Sequence, residues 1–252
     1  MSRFLRYAVL GAAVTAPVGI YALVLRPWKE RWGADPGEAV RMLPGDELVP
    51  GPTAEETRGI TIAAAPEDVW PWLVQMGFGR AGWYSYDQMD MKGRSADDIR
   101  PELQSLAVGD TVPTHPGGGF VVKALAPGHA LTLFIDSMIT QGWKVGATGA
   151  PGLEVSGAAL QATVPREFAG SWTFVVEPTD DGRTRLIERT RFAFPGGPSA
   201  ARIGLEAMGF GVFLMMRKQM LGIRDRAERL ARSKLPAPYV PPPVPTPALQ
   251  AG

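Results

Sequence analysis

The chain has 252 residues, enough for one domain with a substantial core plus extensions. Lys and Arg total 26 against 25 Asp and Glu, so no basic footprint for nucleic acid is present. Cysteine is absent, which excludes disulfides, cysteine nucleophiles and thiolate metal sites. Residues 1–6 form a short basic segment with Arg3 and Arg6. Residues 7–25 then run without a charge, about the length that spans a bilayer's hydrocarbon core. Arg26, Trp28, Lys29, Arg31 and Trp32 follow, as interfacial anchors do. A cleaved signal peptide and a buried helix are the competing readings. The run is long for a signal's apolar region, and no small-x-small cleavage site follows it. The expectation is an uncleaved single-pass anchor in a bacterial cell membrane, its orientation open because basic residues sit on both sides. Residues 26–52, rich in Gly, Pro and charge, read as a linker with one helical turn near 38–42.

Residues 57–87, TRGITIAAAPEDVWPWLVQMGFGRAGWYSYD, carry the strongest pattern. A short apolar strand around Ile60-Thr61-Ile62 leads into a helix through Pro66-Glu67-Asp68. Proline suits the first helical position, and acids favour the positive helix end. Val69, Trp72, Leu73 and Met76 fall at helical spacing on one face. An aromatic cluster, Trp83-Tyr84-Ser85-Tyr86-Asp87, closes the stretch. If 83–87 is extended, Tyr84 and Tyr86 point one way while Trp83, Ser85 and Asp87 point the other. The two tyrosines then either line a cavity or pack in the core with their hydroxyls bonded to backbone.

This stretch resembles the opening of the SRPBCC superfamily, the helix-grip proteins that include START domains and the polyketide cyclase/dehydrase group. The closer resemblance is to bacterial proteins reading much like VWPWLVQMG followed by G-aromatic-YSYD. A bacterial source also suits the richness in Ala, Gly, Pro and Arg and the lack of asparagine. The resemblance covers about residues 53–234 and implies an α+β fold, a curved antiparallel sheet wrapped around a long C-terminal helix. It also implies an apolar cavity between sheet and helix.

Further along, 119–125 and 130–134 read as paired strands joined by Ala126-Pro127-Gly128-His129. Residues 136–170 are Gly/Ala-rich with little pattern and match the family least, as a variable loop over the cavity mouth would. Trp172, Phe174 and Val176 alternate with Ser171, Thr173 and Val175, so one strand face is strongly apolar. After the turn at 179–182, residues 185–194 form the hairpin partner. Arg185, Arg189 and Arg191 share one face of it; Leu186, Glu188, Thr190 and Phe192 share the other. A long helix spans 199–233, apolar nearly all round at 210–216 and then amphipathic, with Met220, Ile223, Ala227 and Leu230 on one stripe. Residues 235–252 are Pro-rich and read as an extended, disordered tail that offers PxxP segments.

Most catalytic motifs fail on context. Residues 77–82 match GxGxxG, but a dinucleotide site needs that motif between a strand and a helix, and here it follows a helix. His115 and His129 are the two histidines, with no spacing that suggests a metal site. No cofactor is expected. Glu188 stands out because alternation points it inward, where a carboxylate must be paired or neutralised. It is the best candidate for an acid/base or for a ligand anchor; an ion pair with an arginine is the plain alternative. The expected ligand-binding set is Trp83, Tyr84, Tyr86, Trp172, Phe174 and Glu188, with Met208, Val212 and Met215 facing them from the long helix. The function expected is a membrane-tethered binding protein for a hydrophobic small molecule or lipid. The alternatives are a cyclase/dehydrase-like enzyme and, more weakly, a structural membrane protein using its Pro-rich tail.

Overall fold

The computed structural model describes residues 19–90, 93–141, 167–194 and 199–234, with backbone alone at 22, 89–90, 141 and 199–208. A helical turn, Tyr21–Leu25, runs straight into α1, Arg26–Glu30, and α2 is Pro36–Val40. Strand β1, Ala54–Ile62, leads to α3, Pro66–Gln75, and the short α4, Asp87–Asp90. Next come β2, Thr111–His115, β3, Gly118–Ala126, β4, Ala130–Asp136, and α5, Ser137–Gln141. The hairpin β5, Ala169–Pro178, and β6, Thr184–Ala193, precedes the long α6, Ser199–Ser233.

The six strands form one antiparallel sheet in the order β1-β6-β5-β4-β3-β2. The chain is α+β: a curved sheet with α6 packed over one face. Period-2 alternation sends Leu131, Leu133, Trp172, Phe174, Val176 and Leu186 to that face. There they meet Val69, Trp72, Leu73 and Met76 of the α3 region and Met216, Met220, Ile223 and Ala227 of α6. The distal half of α6 is clamped: Glu228 accepts the Ala63 N–H at 3.0 Å, Arg226 donates to the Ala96 carbonyl at 2.7 Å, and Lys234 pairs with Asp68.

The GxGxxG sextet is a turn in which Gly77, Gly79 and Gly82 take positive φ, and Gly77 and Gly82 bridge each other. Arg80 reaches back to the carbonyls of Val74 and Met76 at 3.0 and 3.1 Å, satisfying acceptors that the end of α3 leaves open.

Of the segment read as a linker, 26–52, the part around 38–46 instead folds against the second face of the sheet, while Trp28 and Trp32 pack on Phe213 of α6. Three arginines on that face explain why. Arg189 donates to Asp46 at 2.6 Å, to the carbonyls of Arg41 and Glu38 at 2.8 and 2.7 Å, and to Thr57 at 2.9 Å. Arg185 forms a two-pronged pair with Glu38, both contacts at 2.7 Å, and Arg191 lies 3.2 Å from Asp46. Leu43 packs on Val175 and Ile187, and the Thr132 and Thr173 hydroxyls donate to the Pro44 carbonyl. Composition alone made this stretch look like a linker because its few acids find their partners only across the folded sheet.

No helix among the described residues is long and apolar enough to cross a membrane. Of the run 7–25, residues 7–18 lie outside the described residues, as do the tail 235–252 and most of the loop expected at 136–170.

Candidate functional site

The aromatic segment after α3 departs from the extended reading. Tyr84 has φ 58°, a left-handed conformation rare for a bulky residue, so the chain turns there and the two tyrosines diverge. Tyr84 is buried and Tyr86 is 45% exposed. The Tyr84 hydroxyl donates to the Trp72 carbonyl at 3.1 Å, and its N–H donates to Ser95 Oγ at 3.0 Å. Ser95 in turn donates to Asp87 at 2.5 Å. Burial raises the Tyr84 pKa, so the phenol stays a neutral donor. Tyr84 thus serves the core and Tyr86 the surface, so the two do not point side by side as an extended segment would place them.

Trp83 does point to the sheet. It is buried and stacks on Trp172, with ring centroids 5.4 Å apart and planes 20° apart. Trp172 also contacts Phe120 and Phe174 at 5.6 and 5.1 Å. Gly170, two residues before Trp172, leaves room for the Phe192 ring, which a Cβ there would strike. An aromatic wall therefore runs across β3, β5 and β6 on the face that α6 covers.

Glu188 sits within this wall with no exposed surface. One carboxylate oxygen accepts from Trp172 Nε1 at 2.7 Å, and the other lies 3.4 Å from Arg58 Nη1. Burial pushes the Glu188 carboxyl up from its usual range, and the Arg58 charge and the Trp172 bond oppose that rise. Arg58 is likewise wholly buried, and its guanidinium also pairs with Glu56. Glu56 accepts from Lys29 of α1 at 2.6 Å. A ladder of alternating charge, Lys29–Glu56–Arg58–Glu188, thus leads from the N-terminal helix to the Trp172 ring.

The ladder keeps unused capacity. Two of roughly four acceptor positions on Glu188 are taken. Arg58 Nε is buried with no hydrogen-bond partner among the described residues. Arg58 also contacts Met216 Sδ at 3.4 Å and lies 5.5 Å from the Phe213 ring centre. A donor and an acceptor with spare valence, set among aromatic and thioether side chains, can fix the polar end of an otherwise apolar molecule.

The helix side needs a correction of phase. Val212 is 40% exposed and Met215 is half-buried, its carbonyl accepting from Ser85. The side chain of Met208 lies outside the described residues. Phe213, Met216 and Met220 take the inward positions instead. Where 210–216 is apolar all round, hydrophobicity cannot select a face. His115, on β2, accepts the Gly117 N–H at 3.0 Å, and His129 is exposed in its turn. No cluster of His, Cys, Asp or Glu suited to a metal occurs among the described residues.

No protein-family model matches this chain, and no curated protein does. Among solved structures, it is similar to a conserved protein of Geobacillus kaustophilus at 15% identity, covering 70% of this chain and 96% of the other, with a TM-score of 0.38. A protein of Arthrobacter aurescens aligns at 13% identity over 76% and 92% of the two chains, with a TM-score of 0.40. A hypothetical protein of Helicobacter pylori aligns at 9% identity over 74% and 95%, also at 0.40.

Proposed function

We propose that this chain is a membrane-tethered binding protein of the helix-grip class. It holds a hydrophobic small molecule or lipid between the inner face of the sheet and α6. The observation that carries this reading is the buried Arg58–Glu188 pair, with its unpartnered Arg58 Nε, inside a wall of Trp83, Phe120, Trp172 and Met216. An apolar enclosure with a few convergent polar groups is the usual character of a small-molecule site. The tether is the charge-free run 7–25, whose last residues, Tyr21–Leu25, form the helical turn before α1.

An enzyme of the cyclase/dehydrase kind is the second reading. It draws on the upward push that burial gives the Glu188 carboxyl, which would suit a proton donor. Against it, both Glu188 oxygens already carry structural partners. Native mass spectrometry of the full chain released from detergent tests the binding reading. A retained apolar mass in stoichiometric amount is expected. The bare chain mass from several mild detergents would contradict it.

A further inference from the structure

We propose that the bilayer covers a second surface of this chain: α6 at the level of Val212 and Leu214 lies in the lipid headgroup layer beside the anchor. The inference rests on the tethered reading and deepens it, because it gives the domain one orientation on the membrane. It begins with side chains that the domain leaves uncovered. In the helical stretch that ends the charge-free run, Ile20, Leu23 and Val24 are 56%, 79% and 58% exposed, and Trp28 of α1 is 47% exposed. On α6, Val212 and Leu214, the neighbours of Phe213, are each 40% exposed.

Aromatic packing joins these two places with no spacer. The Trp28 ring meets Phe213 edge-on at 5.0 Å, Trp32 lies 6.4 Å from the same ring, and the Arg217 guanidinium sits 5.0 Å over Trp32. α1 and this level of α6 are therefore one packed unit.

Depth follows from helix geometry. Leu25 is the last residue of the charge-free run, and Trp28 comes three residues later, about 4.5 Å along a helix at 1.5 Å per residue. The interfacial layer on each side of the hydrocarbon core is roughly 5–8 Å thick. With 7–25 spanning the core, Trp28 falls within that layer, the depth tryptophan favours. Phe213, held against Trp28, falls there too, and Val212 and Leu214 with it. Lys218, exposed on α6, follows, where a long cationic side chain can reach lipid phosphates. Continuity with the anchor is what selects a bilayer over a second protein chain as the occupant.

The absence of cysteine makes the test clean, because any introduced thiol is unique. Val212→Cys and Leu214→Cys full-length chains, labelled with an environment-sensitive fluorophore, are reconstituted into phosphatidylcholine/phosphatidylglycerol vesicles. Val108→Cys serves as control: it is 62% exposed, just before β2, the edge strand opposite β1. Five strand spacings, about 24 Å, separate those two edges. The expected result is several-fold stronger quenching by spin-labelled lipids at 212 and 214 than at 108. Unquenched labels at 212 and 214 on a chain that co-floats with vesicles would overturn this inference and leave the tether standing. A chain that fails to co-float would overturn the tether and this inference with it. Labels shielded from water only at high protein density, without lipid quenching, would assign the surface to a second copy and also overturn it.

Discussion

Arg58 and Glu188 are direct cross-strand partners between β1 and β6, and neither side chain exposes any surface. Two charges are thus withdrawn from water at the centre of an aromatic and thioether enclosure. Such a pair adds little net stability over apolar side chains of similar volume, yet removing one member strands the other charge.

This yields a double-mutant prediction. Arg58→Met alone leaves Glu188 buried without its counter-charge and is expected to cost about 3–5 kcal/mol in urea unfolding of the full chain. Combining it with Glu188→Gln, which keeps an acceptor for Trp172 Nε1, is expected to recover a large part of that loss. Costs that simply add in the double variant would show that the two side chains are not coupled.

Much of this site was legible in the sequence. The alternation that turned Glu188 inward beside Leu186 applies equally to β1, where Arg58 shares a face with Ile60 and Ile62; counting by two from those isoleucines would have found Glu188's partner. On α6, the stripe through Met220, Ile223 and Ala227 extends back at helical spacing to Met216 and Phe213, correcting the phase that put Val212 inward. Tyr84 was not legible, because no local signal announces a tyrosine at positive φ. That conformation is held by distant residues, Ser95 and Gly222 among them. The fold of 26–52 was hidden for the same reason, its acids answering arginines more than a hundred residues away.

The Glu38–Arg185 pair sets a pH dependence. Burial works to raise the Glu38 carboxyl, but the Arg185 bonds, the Asp35 N–H and nearby positive charge together hold it below its ordinary value of 4.5. A carboxyl lowered on folding contributes stability that is fully present above its unfolded pKa and is lost as pH falls through the folded one. Glu38→Gln is therefore expected to cost about 1 kcal/mol at neutral pH, since the pair is only partly buried. The variant should also lose less stability than the parent as pH drops below about 4.5. Parallel stability curves for the two proteins across that range would refute the assignment.

Gly222 of α6 faces the backbone of Tyr84 so closely that a Cβ there would overlap the Tyr84 carbonyl. Alanine ordinarily favours a helix over glycine by about 1 kcal/mol. Here overpacking against rigid backbone is expected to dominate, giving a net loss of about 1–3 kcal/mol for Gly222→Ala. Gly211→Ala, on the same helix with nothing within 4 Å of the added carbon, should be neutral or slightly stabilising. Equal unfolding midpoints for the two variants would mean that α6 does not lie against Tyr84 as described.

Photocrosslinking tests the central claim most directly. The full chain in detergent is illuminated with an acyl chain bearing a diazirine, and adducts are mapped by peptide mass spectrometry. Adducts on the inner wall, at Trp83, Phe120, Trp172 or Met216, that disappear when excess unlabelled acyl chain is added are the predicted result. Labelling confined to residues 7–28, or inner-wall labelling that competitor leaves unchanged, would contradict a ligand site between the sheet and α6.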